Sequence, residues 1–566
     1  MPQLIKKSKL NILSKLFLSY CLFFGFFFLM ALILSIISLN FLYKHNLKKA
    51  SAQARLAIWP TQVIRVMTAS QLNSLKAWEA GLRVISRLSA IETEIKNSAQ
   101  LTNQDNQQLI SPLLFSNVNS ISTDFQQFIE YSQQSPAAKM LLSQNQEKQF
   151  FQLADNLSKL NWLLSYLSRN KLEMLFLLQN SDELRAGGGF VGSLAAVSLD
   201  HGSLTQPTFY DIYDFANRAG RLPNSPVGVE KYLSADRGLS LTDVNWEADF
   251  SESAKNYQKL IKNTELPEIN TIVGLSLATI KEVIEVIGPV NLIDSHQTVY
   301  ADNLEQLARL DREDFFAGDK RKKLFLTELF TAIKLELPNL EVGQLLELAE
   351  VFSKNISQKN LIFYSSDSEL QQFIVDHNAG GVINFETDFF LYLPESNVGI
   401  NKANGKVTRE IQLKFNPQLI TATITFFNDN LPLAAQQIQA IRNNPDLLQA
   451  EHMGYINYQR LITNLPFKQT QVICDGQDVT LEEETTISTW LTDAKQVGFL
   501  VKVPEQNSVR CIIAIQPEVE LLSRYTWTVV RQPGLPPTVY EIDYFSNKSE
   551  FYLDKDAKIG GGKNQY

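Results

Sequence analysis

The sequence predicts a mixed α/β protein built in series: a transmembrane helix, a helical stalk, an α/β core and a C-terminal antiparallel β-sandwich. Three observations carry this. An uncharged run, Leu16 to Tyr43, is dense in Phe, Leu and Ile. Strand-like and helix-like segments alternate from Lys171 to about Lys406. From Val407 onward the apolar residues fall on period two. Each pattern has its own physical origin: bilayer thickness, the layered α/β sheet, and the two faces of a pleated strand.

The Leu16–Tyr43 run is long enough to span a bilayer with some tilt, and too long for the core of a cleavable signal peptide. It is therefore expected to be an uncleaved signal-anchor over 16–43. Its flanks carry Lys6, Lys7, Lys9 and Lys15 on one side and Lys44, Lys48 and Lys49 on the other, and the first acid is Glu79. That balance leaves orientation unset by charge. The brevity of residues 1–15 favours a cytoplasmic tail, with the remainder extracytoplasmic.

From Lys48 to Arg169 Gly81 is the only glycine, and apolar residues recur three and four apart, as in Leu153, Leu157, Leu160 and Leu164. Antiparallel helices are expected over 48–169, as a stalk or cap; a ligand-binding helical bundle is possible there but has no motif behind it. In the 171–406 core, Asn270 to Leu275 reads as a buried strand. It is followed by a helix from Ala278 that stops at Gly288-Pro289. A helix is expected from about Lys322 to Leu335, and the strand Leu361–Tyr364 precedes a helix from Asp367 to His377. The β-sandwich is expected over 407–545, with a helical insertion at Leu433–Leu448, and residues 546–566 as a tail.

The 566-residue chain is 45% hydrophobic, 20% charged and carries a net charge of -8, which argues against a general nucleic-acid binder. The five histidines are scattered without ligand spacing, and no H-E-x-x-H, C-x-x-C or G-x-S-x-G string occurs. Cys21 lies in the membrane run. Cys474 and Cys511 fit either one disulfide in an oxidising compartment or two buried thiols.

Asn180 to Ser193 reads N-S-D-E-L-R-A-G-G-G-F-V-G-S, between two apolar runs. Two readings fit. Glycines at a strand end make a tight turn; amides and a guanidinium at such a turn also suit an anion. The segment is neither a Walker loop nor a dinucleotide fingerprint, because a strand rather than a helix follows it.

This string resembles the signature of the domain of unknown function 4012 family of bacterial envelope proteins. So, in order, do D-V-N-W-E-A-D-F at Asp243–Phe250, T-I-V-G-L-S-L-A-T-I-K-E-V-I-E-V-I-G-P-V at Thr271–Val290, G-D-K-R-K-K-L-F-L-T-E-L at Gly318–Leu329, S-N-V-G-I-N-K at Ser396–Lys402 and Y-T-W-T-V-V-R-Q-P-G at Tyr525–Gly534. The core is in turn similar to the LytR-CpsA-Psr domain, which transfers glycopolymers from polyprenyl pyrophosphate lipids to the cell wall with magnesium. Carried over by position, that resemblance implies Arg185, Asn245 and Arg321 as catalytic. For such a diphosphate lipid, Gly187, Gly188 and Gly189 could offer amides and Lys320 and Lys323 cations as substrate-binding groups, and Asp182, Asp211 and Asp319, with Glu183 and Asp214 beside them, could supply carboxylates to Mg2+. The bilayer, a polyprenyl pyrophosphate lipid and a cell-wall glycan would be the partners. The chain departs from that pattern: where those enzymes have a proline-arginine-aspartate string it reads F-Y-D-I-Y-D-F-A-N-R, and Ala186-Gly187-Gly188 replaces their serine-aspartate pair.

The residues also admit structural roles. The Lys-Arg run suits a solvated helix start, Asp249 or Ser251 suits a helix cap, and Glu183 suits an ion pair with Arg185. Two functions are compatible with these readings: a membrane-anchored extracytoplasmic transferase, or a non-enzymatic envelope scaffold or binding module that keeps the fold without the chemistry.

Overall fold

Apolar periodicity of 3.6 builds the first part of the chain, and the computed structural model shows where it leads. Residues 26–44, 46–67, 72–100, 106–108, 112–135, 144–310, 320–443 and 450–561 are described. The expected cytoplasmic tail and the first part of the membrane run lie outside them. The chain divides into two compact units: 1–171 with 199–205 and 337–345, and 172–198 with 206–336 and 346–566.

The first unit is helical. It comprises α1 (Phe26–Tyr43), α2 (Leu47–Met67), α3 (Asn73–Gln100), α4 (Pro112–Gln133) and α5 (Gln144–Arg169). α1 is long and apolar enough to cross a membrane. One of its faces, at Phe27, Ala31 and Leu34, packs with Ala54, Ala57 and Ile64 of α2 and with Leu75 and Leu82 of α3. Its other face exposes Leu29, Leu32, Ile33 and Ile36. Charge ties the next helices together. Buried Glu79 meets Arg65 at 3.2 Å and Arg83 at 2.9 Å, and buried Asp124 meets Arg83 at 2.8 Å and Arg87 at 2.7 Å. Each carboxylate serves two guanidiniums, which offsets the cost of removing it from water. A short strand, Asn106–Gln108, interrupts the expected all-helical region and pairs antiparallel with Ser203–Thr205.

The second unit opens with a mixed sheet whose central strands run in the order β2 (Phe190–Asp200), β1 (Lys171–Asn180), β4 (Thr271–Ser276), β5 (Leu361–Ser365), with β3 (Thr208–Asp211) paired to β2. β1 and β4 are parallel; β5 runs antiparallel to β4. Its helices include α6 (Ile212–Ala219), α7 (Phe250–Ile261), α8 (Leu277–Ile287) and α9 (Lys320–Glu336). Their ends obey local capping chemistry. Asp211, Asp249 and Ser276 accept a backbone N–H at the starts of α6, α7 and α8, and Gly288, at φ +89, ends α8. Leu175, Leu177, Trp246, Phe250, Tyr257 and Ile272 fill the core.

The C-terminal part is a sandwich of two seven-stranded sheets among the described residues, closed over Phe415, Phe426, Phe499 and Trp527. Three expectations need correction. The sheets begin at Phe389–Tyr392, ahead of Val407. They are not wholly antiparallel: Phe389–Tyr392 runs parallel to Thr526–Val530, and Val407–Asn416 parallel to Thr538–Tyr544. Period-two alternation tells which face a side chain takes, not which way its neighbour runs. Residues 546–566 are not simply a tail, since Asn547–Leu553 and Ala557–Gly560 are strands, the latter paired with Thr526–Val529. The expected insertion appears as a helix over Ala435–Asn443.

Candidate functional site

The glycine turn is the joint between β1 and β2, and its chemistry begins with Arg185. The strand enters a short 3-10 turn, Ser181–Glu183, capped by the Asn180 side chain. The chain then turns inward, so that Leu184, Arg185 and Gly187 to Gly189 are all buried. Arg185 is 2% exposed. Its Nη1 donates to the carbonyl oxygens of Asn397 at 2.6 Å and Leu184 at 3.1 Å, and its Nη2 to Glu183 at 3.1 Å. The guanidinium is thus occupied by two carbonyls and a carboxylate.

Asn245 is equally enclosed. Its Nδ2 donates to the Gly189 carbonyl at 2.7 Å, and its own carbonyl accepts from the Gly187 N–H at 3.3 Å. Gln179 donates to the Gly187 carbonyl at 2.7 Å, and the Gly188 N–H donates to the Arg185 carbonyl at 2.9 Å. Two amides of the turn are therefore spent inside the protein. The far side of the turn meets Gly534, where a Cβ would lie 1.9 Å from the Gly188 carbonyl oxygen; Gly534 itself sits at φ +73. Gln532 locks this approach, donating to the carbonyls of Arg185 at 3.2 Å and Glu395 at 2.8 Å.

Three polar atoms at this knot are buried without a hydrogen-bond partner among the described residues: Arg185 Nε, Asn245 Oδ1 and Gln179 Oε1. Two nearby phenols feel both signs of charge. Burial pushes the Tyr213 phenol up, and Glu183, Asp211 and Asp243 push it further, with Arg185 the one neighbour pulling down. The Tyr257 phenol is likewise raised by burial and by Asp243 against Arg185. Paired with Glu183, the Arg185 guanidinium presents little net positive potential to an anion.

The remaining candidates occupy other positions. Asp211 caps α6, accepting from the Tyr213 N–H at 2.9 Å. Asp182 sits beside Gly405, whose hypothetical Cβ would be 2.8 Å from Asp182 Oδ1. Asp319 lies outside the described residues, and among those described no group of three His, Cys, Asp or Glu is arranged to hold a metal. Asp182 and Asp211 are thus not grouped with a third such side chain among the described residues. Lys320 and Arg321 open α9, which packs on β3 through Phe330 and Phe209. Lys323 is exposed, with Nζ 5.6 Å from the Tyr210 ring centroid. The structure therefore brings Arg185, Asn245 and the three glycines into one knot.

Sequence reasoning passed over much of that knot. Asn397 binds the Asn401 carbonyl at 2.8 Å and, through Oδ1, the Gly399 N–H at 2.9 Å. Arg409 is bidentate to Glu395 at 2.7 and 2.8 Å, with Tyr455 completing the group. Arg460 stacks 4.9 Å over Trp246 and donates to the Trp246 carbonyl. Arg531 donates to the carbonyls of Gln358, Leu553 and Leu535, and burial pushes it down to about 10. The signal existed: the strings D-V-N-W-E-A-D-F, S-N-V-G-I-N-K and V-R-Q-P-G contain Asn245, Asn397 and Gln532, and all three converge on the glycine turn.

No curated protein matches the chain. Among solved structures, a Legionella pneumophila protein, provisionally described as nutrient-binding, aligns over 27% of this chain and 54% of its own length, with 9% identity and a TM-score of 0.18. A likeness that weak carries no argument. Residues 170–312, which include the turn, Asn245 and the helix Leu304–Leu310, match the model of the family described as a protein of unknown function (DUF4012).

Proposed function

We propose that this protein is a membrane-anchored, extracytoplasmic envelope protein that works as a non-enzymatic scaffold or binding module. The observation that carries this is the state of Arg185: 2% exposed, with its guanidinium held by Asn397, Leu184 and Glu183. A phosphate would have to displace two carbonyls and a carboxylate to reach it, and each lost bond to a charged group costs about 1.5–3 kcal/mol. The Cys474–Cys511 bond between paired strands suits an oxidising compartment, and α1 supplies an anchor of sufficient length.

A second reading is glycopolymer transfer from a polyprenyl pyrophosphate on a LytR-CpsA-Psr-like core. It is favoured by the unpartnered Arg185 Nε, Asn245 Oδ1 and Gln179 Oε1 at a single turn. One experiment separates the two. Full-length protein in detergent is incubated with polyprenyl pyrophosphate and magnesium, and phosphate release is measured for wild type and Arg185→Ala. The scaffold reading expects no release from either, and a lowered melting temperature for the variant. Release by wild type that Arg185→Ala abolishes without loss of fold would overturn it.

A further inference from the structure

The seam between α4 and α5 is polar where packed helices ordinarily bury an apolar stripe. On α4 the stripe runs through Phe115, Asn119, Ser122 and Gln126; on α5 it runs through Ser158, Asn161 and Trp162. Two side-chain hydrogen bonds cross the seam among the described residues. Gln126 Nε2 donates to Ser158 Oγ at 2.9 Å, and Asn161 Nδ2 to Asn119 Oδ1 at 3.1 Å. Along the seam lies a pocket of about 400 Å³, open to solvent beside the exposed Asn119, Thr123 and Gln126 and floored by buried Ser122, a size in the range of small-molecule sites.

Three features define what fits. No charged side chain lines the cavity, so an ionised ligand would leave water without a counter-charge. The lining is amide and hydroxyl, groups that offer donors and acceptors together. Asn161 Oδ1 is buried and has no partner among the described residues, an acceptor awaiting a donor. Trp162, stacked on Tyr166 at 5.3 Å and 15°, and Phe115 add aromatic wall.

We propose that this cavity binds a neutral, polyhydroxylated ligand: a sugar ring or a short neutral saccharide. Each ligand hydroxyl both donates and accepts, matching a lining that does the same. Asn161 Oδ1 takes one hydroxyl proton, and the aromatic wall covers the apolar face of the ring. The site is independent of the Arg185 turn, so the fate of either proposal leaves the other standing.

The test is calorimetric titration of full-length protein, held in a detergent without a sugar headgroup. The probes are N-acetylglucosamine, cellobiose and, as charged counterpart, glucuronate. Saturable binding of a neutral sugar is expected, with glucuronate at least about tenfold weaker. Asn161→Leu should weaken it about tenfold by removing one acceptor. Ser122→Leu, which fills the cavity, should abolish it while circular dichroism and melting temperature hold. A sugar-induced fluorescence change should be lost in Trp162→Phe. No saturable heat with either neutral sugar, equal affinity for glucuronate, or binding unchanged in Asn161→Leu and Ser122→Leu would each overturn the proposal.

Discussion

Around Gly187–Gly189 the nearest carbonyls, amides and side chains press against one another, whereas between α4 and α5 a space of about 400 Å³ remains. Both regions are lined by polar side chains, buried at the turn and partly exposed in the seam, and both use small residues at the point of approach. The difference lies in what the small residue leaves behind. At the turn, glycine lets two backbones meet, because an extended or left-handed chain has no girth of its own. Between helices, serine shortens the side chain, but the cylinders still stay roughly 8–10 Å apart. Small residues close a turn and open a helix seam. The turn is thereby a fastening, and the seam a vessel.

The sharpest way to break this comparison is to add one methyl group at the turn. In Gly534→Ala the new Cβ would fall 1.9 Å from the Gly188 carbonyl oxygen, on a residue held at φ +73. Neither backbone has a flexible end to swing away. A loss of at least about 4 kcal/mol is expected, the range reserved for a named mechanism of this kind. Chemical denaturation of full-length protein measures it. An unchanged midpoint would mean that the Gly188–Gly534 approach is not a fastening.

Next in size is the ion pair beneath the turn. Arg409 and Glu395 are 1% and 2% exposed and share Tyr455. Removing one partner strands the other's charge, so Arg409→Ala should cost about 3–5 kcal/mol, while replacing both by apolar residues should cost less. A double-mutant cycle reads the coupling, and strict additivity would show the pair to be independent. In the seam the same kind of deletion should do little. Ser158→Ala loses its hydrogen bond from exposed Gln126 but gains helix propensity, and its stability should stay within about 0.5 kcal/mol of wild type. A large loss there would erase the contrast between the regions.

Much of the frame was legible because it rests on local physics. Gly288 stopping α8, Asp249 capping α7, and the period-two strands at Val407–Asn416 and Leu419–Asn428 are read from a few neighbouring residues. The site was legible in location but not in state. The position of Arg185 beside three glycines marks a special turn. Its occupation depends on Asn397, 212 residues away, and on Gln532 next to its carbonyl, 347 residues away. A sequence gives a side chain's chemistry and not its partners. Asp211 illustrates the same limit, since a carboxylate after a strand serves a metal and a helix N-terminus equally well, and here it caps α6.

The smallest effect concerns charge near the turn rather than packing in it. Glu247 follows Trp246 in the Asn245 loop, and burial holds its carboxyl above the ordinary 4.5, with Glu252, Glu483 and Asp249 pushing the same way and Arg460 opposing. A carboxyl raised in the folded state binds its proton more tightly there than in the unfolded chain. Its contribution to stability is therefore present below about pH 4.5 and is lost as pH rises through the folded-state value. Denaturation midpoints measured across the acid range should fall with rising pH in that window, after allowance for the rest of the protein. Glu247→Gln should flatten that part of the slope, since glutamine keeps the shape and carries no proton to lose. A steeper fall in the variant would mean that the Arg460 guanidinium, stacked on Trp246, outweighs burial and keeps Glu247 ionised. The loop would then be held by a charge pair as the turn is by Arg409 and Glu395, and the two would share one electrostatic design.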